Sequence, residues 1–419
     1  MLWALVERVL PRASSALVAI LLAYATSPDI VGIYTWLTLG VTLYLSVADG
    51  AARQVAVLAW RSSTGLDLIR RYGRIAGPSG LIVLSLVAVT VGALSGRWDL
   101  IASASPIVFV PLVNVRSVRA TALMQVSGQW RSLALIQSIA AATSLVASVP
   151  LMLATASLLG PALQLFLTEA IFTILVRRRV SLTGLNKRAA GLTEGERLGG
   201  AFAHLSAQAA LGWVQGQADR LLLGGFAGTS ALGSYSLALA IGRNPGDAVS
   251  MATANVARSA VVDEASLEDA RAVLDKLLIR ALAATAVLVT LLILAVQLIL
   301  PMFLNTDLWG RSIAAAGPIL LSMIITVYAW SVSPVLVQFG YGKALTYIKL
   351  VGLAFAPAVA IGAVWDLQIA AWLVLGREIA MLLASVAICP RAAPRKALIL
   401  SICLTLFGSV LLEAWALVR

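Results

Sequence analysis

The sequence predicts an all-α, polytopic membrane protein: two parallel six-helix bundles followed by one extra C-terminal helix. Three observations carry this. The chain is 60% hydrophobic and only 12% charged, with a mean hydropathy of +0.94, whereas a soluble domain carries about 25% charged residues. Apolar runs of about 20 residues, enough to cross about 30 Å of hydrocarbon, recur along its whole length. With the N-terminus in the cytoplasm, about 25 of the 31 Lys and Arg fall in cytoplasmic loops, about 3 outside and about 3 within spans, a strong positive-inside bias.

Taken in order, spans are expected near residues 10–27, 31–52, 75–95, 101–124, 131–153, 157–176, 200–226, 231–256, 276–300, 312–338, 345–365, 369–388 and 396–417. Arg8 and Arg12 ahead of an apolar stretch imitate a signal peptide. The first run has a counterpart in the second half, so it is read as a helix of the fold. Basic loops at 61–74, around Arg131, at 177–197, at 258–280, at Lys343 and at 391–396 alternate with short, nearly uncharged turns. Trp98, Trp309, Trp365 and Trp372 fall at expected outer boundaries and Trp60 and Trp130 at inner ones, as an interfacial aromatic belt requires.

An internal repeat sets the domain plan. Gly32-Ile33-Tyr34-Thr35 matches Gly233-Ser234-Tyr235-Ser236 at an offset of about 201 residues. Pro106-Ile107 matches Pro318-Ile319, Gly128-Gln129-Trp130-Arg131 matches Gly340-Tyr341-Gly342-Lys343, and Glu169 matches Glu378. An even number of helices per half makes these parallel repeats about an axis along the membrane normal. The expected plan is a bundle over 1–176, a basic cytoplasmic linker over 177–199, a bundle over 200–388 and an appended helix over 389–419.

Composition excludes several functions. A net charge of +12 would suggest nucleic acid in a soluble protein, but here the cations are topology signals beside anionic head groups. Cys389 and Cys403 are too few and too far apart for a metal cage or disulfide framework. The string Gly224 to Ser230 lacks the lysine and preceding strand of a phosphate-binding loop. His204 is the single histidine, with no catalytic partner pattern around it. No enzyme, metal or resident cofactor is expected.

The stretch Ala218-Asp219-Arg220-Leu221-Leu222-Leu223-Gly224-Gly225-Phe226, continuing to Ala231-Leu232-Gly233-Ser234-Tyr235-Ser236, resembles the polysaccharide transporter family of O-antigen and exopolysaccharide flippases. That family lies within the multidrug/oligosaccharidyl-lipid/polysaccharide exporter superfamily. Asp29-Ile30-Val31-Gly32-Ile33-Tyr34 with Ala48-Asp49-Gly50 echoes it in the first half. The resemblance implies a V-shaped, two-bundle transporter of the inner (cytoplasmic) membrane. It would move a polyprenyl-diphosphate-linked oligosaccharide from the cytoplasmic to the outer leaflet by alternating access. Membrane lipids and polysaccharide-assembly proteins are the implied partners, and a monomer the implied state. The thirteenth helix departs from the family's basic twelve-helix plan.

Charges inside the spans are then the candidate working parts, because each costs several kcal/mol unless it meets water or a partner. Arg243 and Asp247 lie four apart on one helix face, about 18 Å into their span, with Asn244-Pro245-Gly246 between them. The proline should kink or open the helix there. The pair either meets substrate or neutralises itself. Asp219 and Arg220 either serve the substrate or clamp two helices together. Arg53, Arg116 and Arg119 either line a cationic vestibule that suits a diphosphate or reach back to the inner head groups. Arg377 joins Arg243 and Arg220 as a deep candidate for binding. Asp49, Glu169, Asp219, Asp247 and Glu378 are candidates for charge pairing or for coupling to H⁺ or Na⁺. The competing readings are a cation-coupled multidrug exporter of the same fold and a membrane enzyme of the same pathway. The short external loops argue against the enzyme.

Overall fold

The computed structural model describes residues 2–58, 63–182, 198–261, 264 and 266–418. Most of the basic linker expected over 177–199, and Trp60, lie outside these residues. Every regular element among the described residues is helical. Nine helices there are long and apolar enough to cross a membrane, and a bent pair makes a tenth. The chain is a multi-pass membrane protein.

It folds as two compact units. The first in sequence comprises Leu2–Ser14 and Ile30–Gln217, and the second Ser15–Asp29 and Ala218–Arg419. Helix α1 (Leu2–Ala25) is therefore shared between them, and so is the long α10 described below.

In the first unit α2 (Pro28–Val47) runs through a π turn (Ala48–Ala52) into α3 (Arg53–Leu58). Helix α4 begins at Ser63 and continues to Ser95, so most of the basic stretch expected as a loop is helical. Next come α5 (Trp98–Ser103), a 3₁₀ turn (Ser105–Phe109), α6 (Val110–Asn114) and α7 (Val118–Val126). The single span expected at 101–124 is thus a broken one, bent by 49° between Asn114 and Val118. The break has a local cause. The Ser117 hydroxyl donates to the Asn114 carbonyl at 2.8 Å, a side-chain bond that competes with the helical ladder. Helices α8 (Trp130–Thr155) and α9 (Leu159–Leu182) complete the unit. They meet α7 in a core of Leu123, Met124, Leu133, Ala140, Phe172 and Val176. Gly160 allows the close approach of α9 to α8, since a methyl group there would sit 2.4 Å from the Met152 side chain.

Helix α10 (Leu198–Val261) consists of two arms that meet at Gly228. Its φ of 83° and ψ of −177° lie in a region essentially closed to residues with a side chain. The turn expected over 224–230 is thereby reduced to a single glycine. The expected opening at Pro245 does not occur, because the backbone stays helical from Thr229 to Val261. Packing accounts for this. Gly242 and Gly246 lie directly against Ile319 and Met323 of a neighbouring helix, and such support lets membrane helices tolerate proline.

That neighbour is α13 (Thr306–Gln338), which follows α11 (Leu267–Leu298) and the short α12 (Leu300–Phe303). Its span is 78% buried, against 11% for the span beginning at Leu267, so α13 is the central helix of the second unit. The core there joins Leu223, Tyr235 and Leu239 of α10 to Ala315 and Ile319 of α13. It also takes in Val359 of α15 (Ala356–Trp365) and Ala371 of α16 (Leu367–Ile388); α14 (Gly342–Ala354) precedes them. Trp309, in the first turn of α13, is wholly buried against protein, because its helix runs through the middle of the unit. The last helix, α17 (Arg395–Val418), is built in rather than appended. Asp275 accepts its Ala397 amide at 2.8 Å, and Gly408 and Gly317 bring it against Leu321 and Leu412 contacts. Its outer face shows Ile399, Leu406, Phe407 and Val410, an apolar stripe suited to lipid.

Candidate functional site

The break at Gly228 determines the site of the second unit. It folds the arms of α10 back on each other, with Asp219 about 13 Å before the turn and Tyr235 about 10 Å after it. At these similar depths the Tyr235 hydroxyl donates to Asp219 Oδ2 at 2.7 Å. Asp219 Oδ1 accepts the Arg220 amide at 2.8 Å. From α16, Arg377 Nη1 donates to the same Asp219 Oδ2 at 3.3 Å. Its Nε and Nη2 donate to Glu378 Oε1 at 3.2 and 3.0 Å. Three helical segments are thus tied through the Asp219 carboxylate, and the Arg377 and Asp219 side chains are both 0% exposed.

Arg243 and Asp247 sit near the middle of the second arm of α10, about 22 Å from the turn. Arg243 Nε lies 3.8 Å from Asp247 Oδ1, and the two side chains keep 25% and 23% of their surface. Arg220 and Arg243 both act electrostatically on Asp219, and Asp247 acts on Arg220. The structure therefore gathers six of the expected charges, with Tyr235, into one cluster. Arg220, Arg243 and Arg377 are matched by Asp219, Asp247 and Glu378. One end is sealed and geometrically tight, while the other keeps part of its surface.

In the first unit the expected residues are more dispersed. Arg116 falls in the break between α6 and α7 and is exposed, and Arg119 is half-buried at the start of α7. Arg53 is buried at the start of α3. Asp49 lies in the π turn, and its side chain lies outside the described residues. Glu169 accepts a hydrogen bond from the Asn114 amide at 2.8 Å, which the broken helix presents to α9.

Sequence reasoning missed several participants. Tyr235 stands out in the sequence only as a landmark of the repeat and of the family resemblance, and Asn114 is not singled out. Nor is a neutral buried network in which Gln164 donates to Ser14 at 3.0 Å and to Thr168 at 3.2 Å. Thr168 in turn shares a 2.7 Å hydroxyl contact with Ser144. The available signal was the four-residue spacing of Gln164 and Thr168 within an apolar span.

A family model described as "Polysaccharide biosynthesis protein" matches residues 75–314, more than half of the chain. The chain belongs to that polysaccharide biosynthesis family. A search of curated protein sequences finds no match. Among solved structures, the family member is similar to the lipid II flippase MurJ in an inward closed conformation. The identity is 12%, the TM-score 0.63, and the match covers 97% of this chain and 91% of the other. It is similar also to an outward-facing multidrug resistance MATE transporter of the MOP superfamily, with 12% identity, a TM-score of 0.64 and coverage of 99% and 95%. A third is a MOP superfamily transporter from Pyrococcus furiosus, with 12% identity, a TM-score of 0.60 and coverage of 98% and 96%. At such identities the likeness establishes the MOP fold. The family and that fold agree with the resemblance read from the Asp219-Arg220 and Gly233-Ser234-Tyr235 stretches.

Proposed function

We propose that this polysaccharide biosynthesis protein is a flippase for a polyprenyl-diphosphate-linked oligosaccharide. It would carry the head group from the cytoplasmic to the outer leaflet of the inner membrane by alternating access, with its N-terminus in the cytoplasm. The observation that supports the reading is the part-exposed Arg243–Asp247 pair near the middle of the second arm of α10. A guanidinium held at 3.8 Å from its carboxylate is beyond good hydrogen-bond distance. A diphosphate oxygen can outcompete that contact with bidentate, charge-assisted bonds. The sealed Arg377 end holds the helices against which Arg243 is presented.

Coupling to H⁺ or Na⁺ would draw on carboxylates outside the sealed triad. Asp219 and Glu378 already share the Arg377 charge, so loading an ion there would first require that network to break. Asp247 is the more accessible candidate.

The test is export of the surface polysaccharide in a deletion strain carrying Arg243→Ala. Loss of export at normal protein level supports the reading, and full complementation removes Arg243 from the mechanism. One observation favours the runner-up, a cation-coupled multidrug exporter. The three guanidinium groups of the cluster are balanced by three carboxylates, so the site carries no excess positive charge. Raised resistance to organic cations on expression, with polysaccharide export unaffected by deletion, would select that reading.

A further inference from the structure

The second unit carries another cleft, at the start of α16 and about 13 Å along that helix from Arg377. Gly310, Arg311 and Ala314 at the start of α13 face Trp365, Asp366 and Gln368 at the turn from α15 to α16, around a cavity of about 390 Å³. The Trp365 side chain is 76% exposed at its edge. Asp366 uses Oδ1 to cap α16 through the Gln368 amide at 3.0 Å, which fixes the carboxylate at the rim. A methyl group added at Gly310 would meet nothing within 4 Å, so the floor is open.

We propose that this cleft binds a saccharide, namely the glycan head of the transported lipid on the outer face; this rests on the flippase reading above. The chemistry is that of sugar recognition. The faces of pyranose rings present slightly positive C–H bonds, which stack on the electron-rich face of an indole. Planar Arg, Asp and Gln groups match the spacing of neighbouring hydroxyls, and here all three flank one exposed indole. The volume lies at the lower end of the range for small-molecule sites, which suits a short saccharide.

Charge gives the side of the membrane. The opposite ends of these helices bear Arg271, Lys276, Lys343, Arg395 and Lys396, whereas the cleft end bears Asp307, Arg311 and Asp366. Cations concentrate on the cytoplasmic side of short loops, so the cleft opens outward.

The experiment uses the purified full-length protein in lipid nanodiscs. The probe is the lipid-free oligosaccharide released by mild acid from the host cell's own glycolipid precursor, followed by saturation-transfer NMR. Transfer to the sugar protons is expected with the wild type. Trp365→Ala, and Gly310→Leu (which fills the cleft but keeps its polar groups), should each weaken binding by about tenfold or more. Trp98→Ala, which removes an exposed tryptophan of the other unit, should leave binding unchanged. Absence of transfer with the wild type, or equal transfer with Trp365→Ala, overturns the site and leaves Trp365 as an interfacial anchor. Failure of the flippase reading looks different: polysaccharide export would stay normal in the deletion strain while sugar transfer from the wild-type protein persists.

Discussion

Arg377 and Arg243 belong to the same charged cluster, yet their surroundings are opposite. Arg377 has no exposed surface and reaches two carboxylates at 3.0 to 3.3 Å. Arg243 keeps a quarter of its side-chain surface and stands 3.8 Å from one carboxylate. A guanidinium buried with partners on both sides is committed, because its removal strands two charges in a medium that cannot solvate them. A guanidinium that keeps part of its surface can exchange a partner for a ligand. On the flippase reading, the difference separates a cation that only holds helices from one that can also meet cargo, although both read alike in sequence.

The sharpest way to break this comparison is Arg377→Ala. It leaves Asp219 and Glu378 uncompensated, and breaking a buried pair typically costs about 3–5 kcal/mol. The expected outcome is a large fall in melting temperature in detergent and a low membrane level. A variant that stays stable but loses export would reverse the assignment and make Arg377 the residue that meets the substrate. Tyr235→Phe is expected to act in the same direction at about 1–3 kcal/mol, the usual penalty for removing a donor from a buried charged acceptor. Melting curves measured side by side would check that order, and an unaltered Tyr235→Phe would mean the contact between the two arms of α10 contributes little.

Much of this architecture is legible in the residues. The charge pattern gives the membrane class, while the two compact units divide at Gln217–Ala218 rather than at the basic linker expected over 177–199. The turn between the α10 arms is visible as a glycine-rich string. What the string does not reveal is register. Only the single left-handed backbone at Gly228 brings Tyr235 opposite Asp219, and a turn spread over several residues would have set different partners together. The direction of each arginine was equally hidden, since an apolar helix carrying one cation can present it to a partner or to water. The repeat shows why sequence symmetry does not settle this. Thr168-Glu169 in α9 occupies the place of Arg377-Glu378 in α16, but Thr168 joins a neutral network with Gln164 and Ser144. The same position in the two halves is polar, and only one of them is ionic. Pro245 was misread for a related reason: its helix-breaking tendency is local, while the support from Ile319 and Met323 is tertiary.

Arg243→Lys sharpens the functional side. The charge remains but the planar fork is lost. Stability should change by less than about 1 kcal/mol, as for other partly solvated ion pairs. Export should fall by roughly tenfold, the loss of about one charge-assisted bond. An export rate equal to wild type would mean that Arg243 acts as a point charge and that no bidentate contact forms.

The smallest expected effect is also the most specific. Asp247→Asn removes the slack partner of Arg243 while nearly preserving its shape. Because the pair is part-exposed at 3.8 Å, its contribution to stability should be within about 1 kcal/mol. The local charge, however, becomes more positive by one unit beside a part-exposed guanidinium. A soluble short-chain prenyl diphosphate should then bind the purified variant several-fold more tightly than wild type, by roughly three- to tenfold for an added attraction of about 1 kcal/mol. Tighter capture with slower turnover of export would follow, since a head group held too firmly at mid-membrane is released late. Unchanged affinity would show that the diphosphate does not approach this end of the cluster, and would leave Arg243 and Arg377 alike in being structural.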